Sequence, residues 1–109
     1  MTDSKKDLEK LVNSTLNDVV LGLLNEDDPE SIMSAELYLR GAIEIEYIVD
    51  HNKEYLGARI LVEYGGPTIW INTRSRTVDG TWVGHSFTGH YYNDEMDLCG
   101  ACRKMFNSI

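Results

Sequence analysis

Apolar residues recur at three- and four-residue steps near the start of the chain: Leu8, Leu11, Val12, Leu16, Val19, Val20, Leu23 and Leu24. A stripe of that period predicts an amphipathic helix over about residues 4–25. Asp3 or Ser4 can cap it, with a side-chain oxygen accepting from a free amide. Gly22 costs about 1 kcal/mol against Ala but leaves the stripe intact. Glu26-Asp27-Asp28-Pro29 closes the helix, because the residue before Pro avoids the α region. Pro29 suits the first turn of a short second helix that Gly41 stops. From Ala42 the period drops to two. Ile43, Ile45, Tyr47 and Val49 alternate with Glu44, Glu46, Ile48 and Asp50, which predicts a half-buried strand over about 42–50. His51-Asn52-Lys53-Glu54 reads as a turn. A second strand, about 55–64, sets Ala58, Ile60, Val62 and Tyr64 against Arg59, Leu61 and Glu63. Gly65-Gly66-Pro67 makes a tight connection. A third strand, about 68–77, carries Ile69 and Ile71 on one face and Trp70, Asn72, Arg74 and Arg76 on the other.

Asp79-Gly80 is a two-residue hairpin signal. It leads to a fourth strand, about 81–92, that Gly84 and Gly89 would bend. Asn93 or Asp94 then caps a closing helix over about 94–107, with Met96, Cys99, Cys102 and Phe106 as its buried stripe. Helix, antiparallel meander of three to four strands and helix together predict one α+β domain over residues 1–109, with the helices on one face of the sheet. The other face of such a sheet can meet water. A chain of 109 residues can bury such a core without a metal or disulfide.

Charge adds what the pattern does not. The formal net charge is −8. Phosphate contacts need Lys and Arg, so direct binding to nucleic acid is disfavoured, and a basic protein partner is favoured. The same charge also keeps a small domain soluble. Its distribution is uneven: residues 1–30 hold eight acids and three lysines, whereas residues 67–92 hold Arg74 and Arg76 against Asp79. No apolar run reaches a membrane span and Met1 to Lys10 lacks a signal-like apolar stretch, so the expectation is a cytoplasmic protein with no membrane partner.

Candidate chemistry is sparse. Cys99-Gly100-Ala101-Cys102 looks like the thioredoxin active-site motif over five residues, but only seven residues follow Cys102, too few to complete that fold. His85 and His90 with Cys99 and Cys102 form an alternative, a small zinc-binding accessory domain with unusual ligand order. Two cysteines packed as small hydrophobes explain the motif as well. No nucleophile elbow, Walker loop or H-E-x-x-H occurs, so the expectation is a non-enzyme without a cofactor. Trp70, Asn72 and Arg74 share a strand face, and Trp and Arg are enriched at binding hot spots. A neighbouring carboxylate such as Glu63 could equally hold Arg74 as an ordinary cross-strand pair.

Glu54-Tyr55-Leu56-Gly57-Ala58-Arg59, Tyr64-Gly65-Gly66-Pro67, Trp70-Ile71-Asn72-Thr73 and Val78-Asp79-Gly80-Thr81-Trp82 resemble a group of small acidic proteins of unknown function from phages and conjugative elements. The resemblance covers about a third of the chain. It implies a mobile-element setting, in which small acidic proteins often inhibit host defence as anti-restriction or anti-CRISPR proteins.

Charge and resemblance converge on one expectation: an acidic, non-catalytic binding protein that blocks a basic nucleic-acid-binding protein. Glu26, Asp27, Asp28, Glu30, Glu44, Glu46 and Asp50 would imitate phosphates, and Trp70, Asn72 and Arg74 would anchor the contact. A structural module that pairs with itself through its sheet face or through the Leu8–Leu24 stripe is a further alternative, which would make the protein a homodimer.

Overall fold

The computed structural model describes the backbone of residues 4–25 and 28–109, and the side chains of 4–24 and 31–109. Its elements in chain order are α1 (Ser4–Leu21), β1 (Leu24–Asn25), β2 (Asp28–Ile32), α2 (Ala35–Arg40), β3 (Glu44–Val49), β4 (Tyr55–Glu63), β5 (Thr68–Asn72), β6 (Thr77–Trp82), β7 (His85–His90) and α3 (Leu98–Asn107). Strands β3 to β7 form one five-stranded antiparallel sheet in sequence order, and β1 and β2 form a separate two-stranded ribbon. The architecture is α+β, as the periodicities predict, with one strand more than the upper expectation.

The core lies between the sheet and the helices. One row of inward side chains runs Ile45–Ile60–Ile71–Val78–Gly89 across the five strands. Ile60, Ile71 and Val78 in that row are fully buried. Helix α1 brings Leu8, Val12 and Val19, also fully buried, onto β6 and β7. It rides close because Gly80 and Gly89 present no side chain: a Cβ at Gly80 would sit 2.6 Å from Val12 Cγ2 and 2.9 Å from Leu8 Cδ1, and one at Gly89 would strike Leu16. Leu8, Val12, Leu16 and Val19 of the α1 stripe are therefore occupied within the chain, whereas Leu11 and Leu24 stay exposed. At the other end of the sheet α3 covers β4, and Phe106 packs on the rings of Tyr47 and Tyr55 with centroids 5.4 and 5.8 Å away.

Several boundaries differ from the sequence expectation, each for a local reason. Helix α1 ends at Leu21, not near residue 25. Gly22 takes φ +78° and its amide donates to Asp18 O at 2.9 Å, so the left-handed conformation that glycine permits stops the helix. The chain then turns into the β1–β2 ribbon where the second helix was expected to begin. Helix α2 starts only at Ala35, capped by Ser34, whose Oγ accepts from Leu37 N.

The expected third strand stops at Asn72 and the chain reverses through residues 73–76. Asp79-Gly80 is not a turn; it lies inside β6. The turn falls at Val83-Gly84, both at positive φ, which splits the expected fourth strand into β6 and β7. Asn93 does not cap the last helix. Its Nδ2 donates instead to Val20 O at the end of α1. Asp97 is the cap of α3 and accepts from Gly100 N, while Asp94 accepts from Leu98 N and Cys99 N.

Candidate functional site

The face opposite the helices carries two ordered rows. One runs Glu44–Leu61–Trp70–Asp79–Thr88 and the other Glu46–Arg59–Asn72–Thr77–His90. Arg59 links the rows. Its guanidinium lies 4.1 Å from the Trp70 ring centroid, and Nη1 donates to Glu46 Oε1 at 2.7 Å. Stacking of this kind uses the negative face of the indole. Trp70 is half-buried and Leu61, its register neighbour, is only 4% exposed, although no helix covers this face. Asp79 accepts from Thr88 Oγ1 at 2.9 Å and Thr77 Oγ1 at 3.3 Å. Glu44 is exposed at the edge strand. The result is an indole with a stacked guanidinium, bordered by carboxylates on both sides.

The predicted anchors separate in space and in role. Trp70 stands where the alternation put it, but its cation is Arg59 from β4 and not Arg74. Asn72 serves the β5–β6 turn: Oδ1 accepts from both Arg74 N and Ser75 N at 3.0 Å. Arg74 sits in that turn, with its Cβ pressed over Gly57. It has left the strand face that the sequence assigned to it. Asp50 holds the β3–β4 turn through Asn52 N and Glu54 N. A register shift between Leu61 and Glu63 turns Glu63 away from the expected pairing and into a cleft on the helix side. Glu44 and Glu46 stay together on β3. Glu26 and Asp27 lie outside the described residues, as do the side chains of Asp28 and Glu30 on β2.

The four residues of the zinc alternative do not converge. His85 and His90 are the two ends of β7, five steps of about 3.3 Å and so about 17 Å apart. Cys99 and Cys102 lie on α3. Among the described residues no group of three or more His, Cys, Asp or Glu side chains is placed to hold a metal ion. Also among them, no helix is long and apolar enough to cross a membrane.

Scans against protein families, curated proteins and solved structures return no match. The surfaces of the chain must therefore be read from their own chemistry.

A second surface went unforeseen. A cleft of about 550 Å³ opens between α1, α2 and the end of β4. Leu23, Met33, Leu37 and Val62 give it an apolar wall, and Asp18, Tyr38 and Glu63 supply polar groups. Burial pushes the Asp18 carboxyl above its ordinary value. Burial, helped by the charges of Asp18 and Glu63, pushes the Tyr38 phenol up to about 12. The sequence signal for this cleft was weak, since its residues come from three separate stretches of chain.

The Arg59 contact, by contrast, was within reach of sequence. Reflecting the chain about the turn at residues 51–54 sets Arg59 opposite Glu46. Reflecting it about Gly65-Gly66 sets Leu61 opposite Trp70.

Proposed function

We propose that the chain is a non-catalytic binding protein whose helix-free sheet face docks on a basic, nucleic-acid-binding surface of a host protein. One observation carries this reading: Glu44, Glu46 and Asp79 border Trp70 on the sheet face opposite the described helices. Among the described residues, only Glu46 of these carboxylates is matched there by a guanidinium, so the patch keeps excess negative charge. Carboxylates at such a rim steer a basic partner and make association fast and salt-sensitive. The indole, with Leu61 beneath it, supplies apolar area at the centre of the patch, where hot spots cluster. The net charge of −8 supports the same partner class. The resemblance to mobile-element proteins supports a role as an inhibitor of host defence, of the anti-restriction or anti-CRISPR type.

The test is affinity capture from a host lysate with wild-type and Trp70→Ala baits at low and high salt, followed by competition with duplex DNA. The expected result is a basic nucleic-acid-binding protein held at low salt, released by DNA, and lost with Trp70→Ala. Capture that is indifferent to salt, to DNA and to Trp70→Ala refutes the proposal.

A further inference from the structure

We propose that Cys99 and Cys102 form a thiol–disulfide exchange pair, with Cys99 the entering thiol and Cys102 the resolving one. Both are free and both lie in the first turns of α3. Residues three apart on a helix have Cα atoms about 5 Å apart, inside the roughly 4.4–6.8 Å range that a disulfide spans. The pair is asymmetric in access, as directional exchange requires. Cys99 is half-exposed and opens into a small pocket of about 180 Å³ that Thr73, Arg76, Tyr91 and Asp97 also line. The Tyr55 hydroxyl stands 3.6 Å from its Sγ. Cys102 is fully buried behind it. A low-molecular-weight disulfide can reach the first sulfur and not the second.

The chemistry closes on itself. The Cys99 thiolate attacks one sulfur of a small disulfide RSSR. The RS–SR bond breaks, a Cys99–S–SR bond forms, and RS⁻ leaves and takes up a proton. The Cys102 sulfur then attacks the Cys99 sulfur, the Cys99–SR bond breaks, and the departing RS⁻ takes up the Cys102 proton. Two electrons pass from the protein dithiol to RSSR, which becomes two RSH.

Two carboxylates restrain the pair. Asp94 already occupies the amides of Leu98 and Cys99, and Asp97 that of Gly100. Burial first, then the nearby charges of Cys99 and Asp94, push the Cys102 thiol up to about 12. Asp94 thus fixes the first turn of α3 and, by disfavouring the charged form of Cys102, slows the closing step. This inference does not depend on the binding face.

The experiment treats the folded full chain with oxidised glutathione and follows intact mass. Wild type should pass to a form that has lost two hydrogens and carries no glutathione. Cys102→Ser should hold one glutathione on Cys99, and Cys99→Ser should take none. Iodoacetamide should label Cys99 at least about tenfold faster than Cys102 in the folded chain, with the difference lost in denaturant. Asp94→Asn should speed closure of the mixed disulfide. Wild-type protein that keeps a glutathione adduct without closing overturns the proposal, and so does equal labelling of the two thiols while folded. If Cys102→Ser fails to fold, wild-type masses and the labelling ratio decide alone.

Discussion

Gly80→Ala tests why α1 lies where it does. The new methyl would stand 2.6 Å from Val12 Cγ2 and 2.9 Å from Leu8 Cδ1. Carbon atoms rest about 3.5–4.0 Å apart, so something must move by about 1 Å. Neither neighbour yields easily. Val12 and Leu8 are fully buried, and a β-branched side chain on a helix has one strongly preferred rotamer. Overpacking of this kind costs about 1–3 kcal/mol. Against that, Ala restricts the unfolded chain and returns about 0.4–1 kcal/mol. The expected net loss is about 1–2 kcal/mol, read as a fall of about 1 M in the urea midpoint or about 5–10 °C in Tm.

Val12→Ala supplies the check on mechanism. It destabilises alone by about 2 kcal/mol, but beside Gly80→Ala it leaves room for the methyl. The double mutant should be at least about 1 kcal/mol more stable than the two losses added together. A Gly80→Ala protein as stable as wild type refutes the close-approach reading. Simple additivity with Val12→Ala refutes it too.

Three further outcomes follow from other contacts. Thr73→Val removes the buried hydroxyl that accepts from Ala58 N at 2.8 Å, and the orphaned amide should cost about 1–3 kcal/mol in urea unfolding; an unchanged midpoint would mean that the amide finds another acceptor. Arg59→Ala should cost under about 1 kcal/mol, since the pair with Glu46 is 40% and 46% exposed. The same change should shift Trp70 emission to the red by uncovering the indole, and unaltered emission would deny the stack.

Alkaline pH should unfold the protein early. Cys102 and Tyr38 hold their protons to about 12 in the fold, against ordinary values of 9.0 and 10.0. The unfolded chain therefore ionises first. Stability is full well below pH 9 and falls as pH rises towards 12, by about 3 kcal/mol at pH 11 after solvent screening of Tyr38 is allowed for. A Tm that stays flat from pH 8 to 11 contradicts the burial of these groups.

The sheet was legible because alternation at Ile45, Ile60 and Ile71 is unambiguous about which way each side chain points. What misled was glycine, which signals two different things. At Gly80 it is there for the missing side chain, so that α1 can approach, and the Asp-Gly pair only looks like a turn. At Gly22 it is there for its backbone freedom, and the helix ends although the apolar stripe continues. Asn72 and Asp50 looked like surface polar groups available to a partner. Their oxygens are taken by turn amides, a contact that depends on local backbone geometry and not on residue type. Arg59 could have been found by reflecting the strands about their turns. The cleft around Tyr38 could not, because three distant stretches of chain meet there only after α2 has packed.

The position of α1 over β6 and β7 bears on how the molecule is made. A ribosome delivers α1 well before the strands it rests on, with Leu16 waiting for Gly89. The neighbouring hairpins from β3 to β7 can zip up one after another as they emerge, each with its preceding strand already beside it. Helix α1 cannot, so its apolar stripe stays open to water, or to a chaperone, until β6 and β7 have emerged. Docking must then bring the helix onto strands made long after it.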